Sequence, residues 1–156
     1  MTPKIGISDK NLSQSKKLLS IVLADSVVLY TKIRKFHWNV SGNSFMELHK
    51  LFESNYTDLE KIIDDTAERI NELSGKTIGT MKEFLELTNL KEHPNSYPSQ
   101  TEMITELLSD YEQVIVIIRE SVAQCSAGQD FGTVDFLTGL LEAHEKTAWI
   151  LRRYLS

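Results

Sequence analysis

The chain has 156 residues, 41% hydrophobic and 25% charged, which is enough for one domain with a sizeable core. A formal net charge of −5 argues against a body that grips nucleic acid, because phosphate binding needs a basic face; it suits a protein that attracts cations. A single cysteine, Cys125, excludes an internal disulfide and reads as a small packed residue in a reducing compartment; the N-terminus lacks a signal-like apolar stretch and the apolar run over residues 18–30 is broken by Ser20, Asp25 and Ser26, so the expected setting is the cytoplasm, away from membranes.

Only 7 glycines and 3 prolines punctuate the chain, which favours long elements. Leu19, Leu23, Tyr30 and Ile33 recur at helical spacing and predict a first long helix from Ser8 or Asp9 to about Asn39, preceded by a tail of residues 1–8. Ser41-Gly42-Asn43 is a turn signal. Ser44-Phe45-Met46-Glu47 reads as a capping box opening a second helix, whose apolar stripe is Phe45, Leu48, Phe52, Leu59, Ile63, Ile70 and Leu73. Ser74-Gly75 ends it after a span of about 45 Å. In the long connection that follows, Thr80-Met81-Lys82-Glu83 is a second capping box, predicting a short helix through about Thr88; Pro94 and Pro98 close the region. Ser99-Gln100-Thr101-Glu102, a third box, opens a third long helix that stops by Gly128, and a fourth covers roughly Thr133 to Leu155. No strand alternation of useful length occurs. The expected fold is all-α: one domain over residues 1–156, a ferritin-like four-helix bundle with a short extra helix in the crossover between the second and third long helices.

The second helix carries two pairs of metal-ligand type at i, i+4 spacing, His49 with Glu53 and Asp64 with Glu68, in a stripe beside the core face. They cannot make one site within one helix, since His49 and Asp64 lie roughly 22 Å apart along the axis while a ligand must approach within about 2.3 Å of the ion. An antiparallel second copy, related by a two-fold axis, would pair Glu53 with Asp64 and His49 with Glu68 in one register and make two identical sites. Any two i, i+4 pairs share such a register, so this shows only that the geometry is available. His37, five turns after Leu19, faces as the core stripe faces and can add a ligand; a lone histidine on an apolar face is more often a packed core residue. For the carboxylates the competing reading is a solvated helix face. Two histidines and three carboxylates form an N/O set suited to iron, manganese or zinc. No Glu-x-x-His occurs anywhere, which disfavours a di-iron centre within one subunit.

Residues 37–70 closely resemble the Dps family of mini-ferritins. The resemblance is carried by His37-Trp38-Asn39-Val40-x-Gly42-x-x-Phe45-x-x-Leu48-His49-x-x-x-Glu53 and by Asp64-x-x-Ala67-Glu68-Arg69-Ile70; it continues in Gly79-Thr80 and in the stretch from His144 to Leu151. It implies a homo-oligomeric shell of twelve subunits with ferroxidase sites at each two-fold interface. His37, His49 and Glu53 would come from one subunit and Asp64 and Glu68 from its partner; Glu53 stands where the family often has Asp. The implied reaction is oxidation of Fe²⁺ to Fe³⁺, with hydrogen peroxide as preferred oxidant, followed by mineral storage. Zinc or manganese are expected substitutes for iron. Trp38, beside a ligand, would pack and could also intercept stray oxidising equivalents. Asp130 and Asp135 match acids that line the family's iron-entry pores, with Gly139 where a third acid is common; helix capping explains Asp130 equally well. Trp149 reads as structural, His144 as a helix-surface histidine and His93 as a loop histidine.

Two other readings compete. A nucleoid-compacting DNA binder would use Lys4, Lys10, Lys16 and Lys17, but Asp9 offsets them, Lys16 and Lys17 fall within the first helix, and Arg152 and Arg153 complement a helix C-terminus; weak or absent DNA binding is expected. A plain helical bundle with a merely solvated polar stripe would run as a monomer near 17.8 kDa.

Overall fold

The computed structural model describes residues 3–156 and is all-helical over them: α1 (Asp9–Asn39), α2 (Phe45–Glu72), α3 (Met81–Leu87), α4 (Gln100–Ala127) and α5 (Phe131–Tyr154). α1 packs against α2 and α4, and α4 against α5. Ser15 touches Cys125 at one end of the α1–α4 pair and Lys32 touches Asp110 towards the other, so these helices run antiparallel. α2 and α4 are therefore parallel, and the chain between them must travel the length of the bundle, as the predicted crossover requires. Residues 1 and 2 of the expected tail lie outside the described residues; Ile7 already packs against the core and the Ser8 hydroxyl accepts from Asn11 N–H to cap α1.

The core is a continuous set of fully buried aliphatic and aromatic side chains, among them Leu19, Leu23, Ile33, Phe52, Leu59, Ile70, Leu107, Ile118, Leu137 and Leu151. From Val22 to Leu29 every residue of α1 is buried, wider than an amphipathic stripe, because α3 and the crossover cover the outer side of this helix. The cover is held by a fully buried carboxylate. Asp25 accepts from Thr88 Oγ1 at 2.7 Å, Asn89 N–H at 2.6 Å and Asn89 Nδ2 at 3.2 Å. Nearer the far end Lys32 Nζ lies 2.9 Å from Glu106 and 2.6 Å from Asp110, tying α1 to α4.

Two of the three predicted capping boxes form. Glu83 accepts from the Thr80 N–H and hydroxyl while Thr80 Oγ1 accepts from Glu83 N–H, and Glu102 accepts from the Ser99 N–H and hydroxyl. Ser44 and Glu47 do not form one. Gly42 at φ +112° starts a tight turn in which Phe45 N–H bonds to Gly42 O, and Ser44 enters α2 at φ −99°, ψ 24° instead of the extended backbone that a side-chain cap needs. The same turn leaves Phe45 40% exposed, so the buried stripe of α2 begins at Leu48. α5 starts two residues before the expected Thr133, because Asp130 supplies its cap. Gly75 ends α2 where a Cβ would stand 2.6 Å from Ile70 Cγ2 and 2.8 Å from its carbonyl oxygen, closer than any side chain tolerates. Cys125 is buried against Ser15, and burial pushes its thiol up, so it is a packed residue and not a nucleophile.

His144 corrects its expected place on the helix surface. It is 2% exposed, meets the Tyr111 ring edge-on at 5.5 Å, and its Nε2 has no hydrogen-bond partner. Burial lowers its pKa from 6.5 to about 4. The unfolded chain then takes up the proton first, so stability is complete above pH 6.5 and drains away as pH falls towards 4, by about 3 kcal/mol. His144→Leu is expected to flatten this part of the profile. Denaturation midpoints measured between pH 7 and pH 4 check it; parallel slopes for variant and wild type would refute the assignment.

Candidate metal centre

α1 and α2 are antiparallel and joined by a tight turn, so the last turn of α1 faces the first turns of α2. This brings His37 and His49 together although neither helix alone predicts it. Their rings stack at 3.8 Å between centroids with 18° between planes. Each donates through Nδ1 to the other's backbone: His37 Nδ1 to His49 O at 2.8 Å, and His49 Nδ1 to His37 O at 3.0 Å. A carbonyl oxygen can only accept, so both Nδ1 atoms carry hydrogen, and in the neutral rings Nε2 is left with its lone pair. Such backbone bonds are how metal-binding histidines are oriented. The pair is sandwiched between Phe45, 5.1 Å from His49, and Tyr56, edge-on to His37 at 5.3 Å. His37 is 9% exposed, and His49 is partly so.

Glu53 is exposed one turn beyond His49, and Asp64 and Glu68 are exposed further along α2. Among the described residues no group of three or more His, Cys, Asp or Glu side chains gathers in the single chain. The structure thus brings together His37 and His49, keeps Glu53 on the adjacent turn, and leaves Asp64 and Glu68 roughly 22 Å or more from His49 along the helix.

Trp38 is 66% exposed, with the Arg34 guanidinium 5.2 Å from its ring centre. Sequence reasoning passed over Arg34 and Tyr56 and read Tyr30 only as part of the apolar face; the Arg34 guanidinium lies against both tyrosine rings as well as Trp38, and the i, i+4 spacing of Tyr30, Arg34 and Trp38 was the available signal. Trp149 is 52% exposed on α5 in the single chain. His93 lies exposed in the crossover, as expected. Asp130 and Asp135 part company. Asp130 is 1% exposed: it accepts from Thr133 N–H at 3.1 Å and lies 3.4 Å from Arg69 Nη2. Burial pushes its carboxyl up, but the hydrogen bonds from Thr133 and the Arg69 charge more than reverse this and hold it below the usual range. It is a helix cap withdrawn from any pore, because the open end of α5 needs an acceptor there. Asp135, one turn later, is exposed.

Among the described residues no helix is long and apolar enough to cross a membrane. A family model described as a ferritin-like domain matches residues 16–156. The chain is 45% identical to an uncharacterized low temperature-induced protein of Nostoc over 97% of its length and 85% of that protein's. It is 38% identical to DNA protection during starvation protein 2 of Bacillus anthracis, covering 90% of this chain and 95% of that one. Among solved structures, a Dps protein of Vibrio cholerae O1, described as one of the ferritin-like diiron-carboxylate proteins, superposes with a TM-score of 0.93 at 30% identity, covering 99% of this chain and 97% of that one.

Proposed function

The chain belongs to the ferritin-like Dps family, and from that premise we propose that it oxidises Fe²⁺ with hydrogen peroxide at sites shared by two copies of itself and stores the ferric product. The observation that carries this reading is the histidine pair, whose reciprocal backbone bonds leave the Nε2 lone pairs of two stacked rings available to a metal. Two nitrogens and the neighbouring Glu53 do not close a cage, and Asp64 and Glu68 of the same chain lie roughly 22 Å or more away along α2. A two-fold partner in the antiparallel register supplies them: His37, His49 and Glu53 of one subunit face Asp64 and Glu68 of its partner. Two such carboxylates about 4 Å apart repel by roughly 4 kcal/mol at an effective dielectric of 20, and a ferrous ion converts that cost into attraction. Two Fe²⁺ give one electron each to one peroxide, which takes up two protons and leaves as two waters; no hydroxyl radical is released. Iron is the substrate, with zinc or manganese as substitutes on the same donor set.

The proposed assembly is a dodecamer of two-fold dimers in the cytoplasm. Family membership supports iron storage, and the name of the Bacillus anthracis relative suggests protection of DNA. Here that protection is chemical, by removal of iron and peroxide. The alternative, nucleoid compaction by direct DNA binding, has little basic surface to work with: Lys16 and Lys17 lie in the third turn of α1, and the net charge is −5. A gel shift at about 0.1 M salt is expected to show no stable complex, and a stable one would favour compaction. Crystals soaked in Fe²⁺ are expected to show anomalous scattering between the histidine pair and the partner subunit's Asp64 and Glu68. Iron bound elsewhere would overturn the site.

A further inference from the structure

The geometry points to Arg34 as a positioning residue that insulates the aromatic rings beside the histidine pair against one-electron oxidation, so that electrons reaching peroxide come from iron. Tyr30, Arg34 and Trp38 follow at i, i+4 on α1. The guanidinium carbon lies 4.8 Å from the ring centre of Tyr56, 5.2 Å from Trp38 and 5.5 Å from Tyr30. Nη1 donates to the Tyr30 hydroxyl at 2.7 Å. Tyr56 in turn meets His37 edge-on at 5.3 Å and Tyr30 at 6.1 Å. A chain of oxidisable rings therefore leads away from the histidine pair, with one permanent cation at its centre.

Two consequences follow from the chemistry of that cation. An electron lost from the indole leaves a radical cation next to a fixed positive charge, which costs Coulomb energy and forfeits the attraction between the guanidinium and an electron-rich ring. Oxidation of a tyrosine also releases its phenolic proton, which needs an acceptor, and a guanidinium offers only donors. The productive balance is 2 Fe²⁺ + H₂O₂ + 2 H⁺ → 2 Fe³⁺ + 2 H₂O. The diverted one, Fe²⁺ + H₂O₂ + Tyr–OH + H⁺ → Fe³⁺ + Tyr–O• + 2 H₂O, spends a ring in place of the second iron. Arg34 favours the first by raising the cost of the second. The part concerning iron rests on the function proposed above; the insulation of the rings does not.

The test begins without iron. A photogenerated ruthenium(III) tris-bipyridine complex removes single electrons from the assembled protein, and mass spectrometry of digests compares oxidation at Trp38 with that at Trp149, which is 52% exposed in the single chain and has no cation over its ring among the described residues. The Trp38-to-Trp149 ratio is expected to rise roughly threefold in Arg34→Gln and to fall back in Arg34→Lys, which restores the cation but not the shape. An unchanged ratio in Arg34→Gln, or no recovery in Arg34→Lys, overturns the proposal. With Fe²⁺ and peroxide added, Arg34→Gln is expected to oxidise fewer than two irons per peroxide. If the wild type oxidises no iron, the function proposed above falls, while the iron-free ratio still decides the role of Arg34.

Discussion

His49→Ala and Glu68→Ala are each expected to lower peroxide-dependent iron oxidation about 10–100-fold, yet a co-assembled one-to-one mixture of the two is expected to recover about a quarter of wild-type activity. Each two-fold dimer would contain two sites, and each site would draw its histidines from one subunit and Asp64 and Glu68 from the other. In a mixed dimer one site receives both damaged halves and the other receives both intact halves. Random pairing makes half of the dimers mixed, and half of the sites in those are whole. A site contained within one chain would show no such rescue, because every chain in the mixture carries a lesion. Size-exclusion chromatography of each variant guards against loss of assembly, and an inactive mixture of correctly sized assemblies would sink the shared site. His49 and Glu68 lie outside the buried stripe of α2, so neither substitution is expected to disturb the fold of the subunit itself.

Lys32→Met is expected to destabilise the fold by about 3–5 kcal/mol, the cost of stranding a buried charge. Lys32 is 7% exposed and its ammonium is the shared partner of Glu106 and Asp110. Burial already pushes the Asp110 carboxyl up, opposed by the hydrogen bond and charge of Lys32. Without Lys32 the carboxyl rises further. A folded-state pKa above the unfolded one makes the variant most stable in acid, and that stability is lost as pH rises through the folded value. Lys32→Met with Asp110→Leu is expected to recover most of the loss, since the more deeply buried carboxylate goes with the lysine and the remaining Glu106, 22% exposed, reaches water. Denaturation midpoints across pH measure both effects. A single variant within about 1 kcal/mol of wild type would mean that water reaches Asp110 and the pair is effectively a surface one.

The helices were legible because their apolar residues repeat at helical spacing and their ends carry local chemistry; α3 and α4 begin where Thr80 and Ser99 said they would. Ser44 shows where such signals stop: a capping box is a statement about four residues, and the turn at Gly42 set the backbone of Ser44 against it. His144 shows the other limit. It stands at helical spacing from Leu137, Leu141, Ala148 and Leu151, but a histidine beside Glu145 reads as polar surface, and the α4 residue Tyr111 that covers it is 33 positions away. Asp130 read equally as cap or pore acid because both roles want a carboxylate at the start of a helix, and only its burial against Arg69 and Thr133 separates them.

The sequence alone determined the helical architecture, the crossover and the candidate ligand set, because these depend on periodicity, on turn chemistry and on which residue types bind hard cations. Tertiary structure decided which of those ligands meet within one chain. His37 and His49 lie on different helices, and their stacking and exchanged backbone bonds exist only because α1 and α2 fold back on one another. The same folding back gathered Tyr56 to Arg34, and the packing of α4 on α1 created the Lys32–Asp110 pair. Contacts between residues far apart along the chain are set by how buried faces dock, and that information is spread over the whole core and not written at the residues that meet.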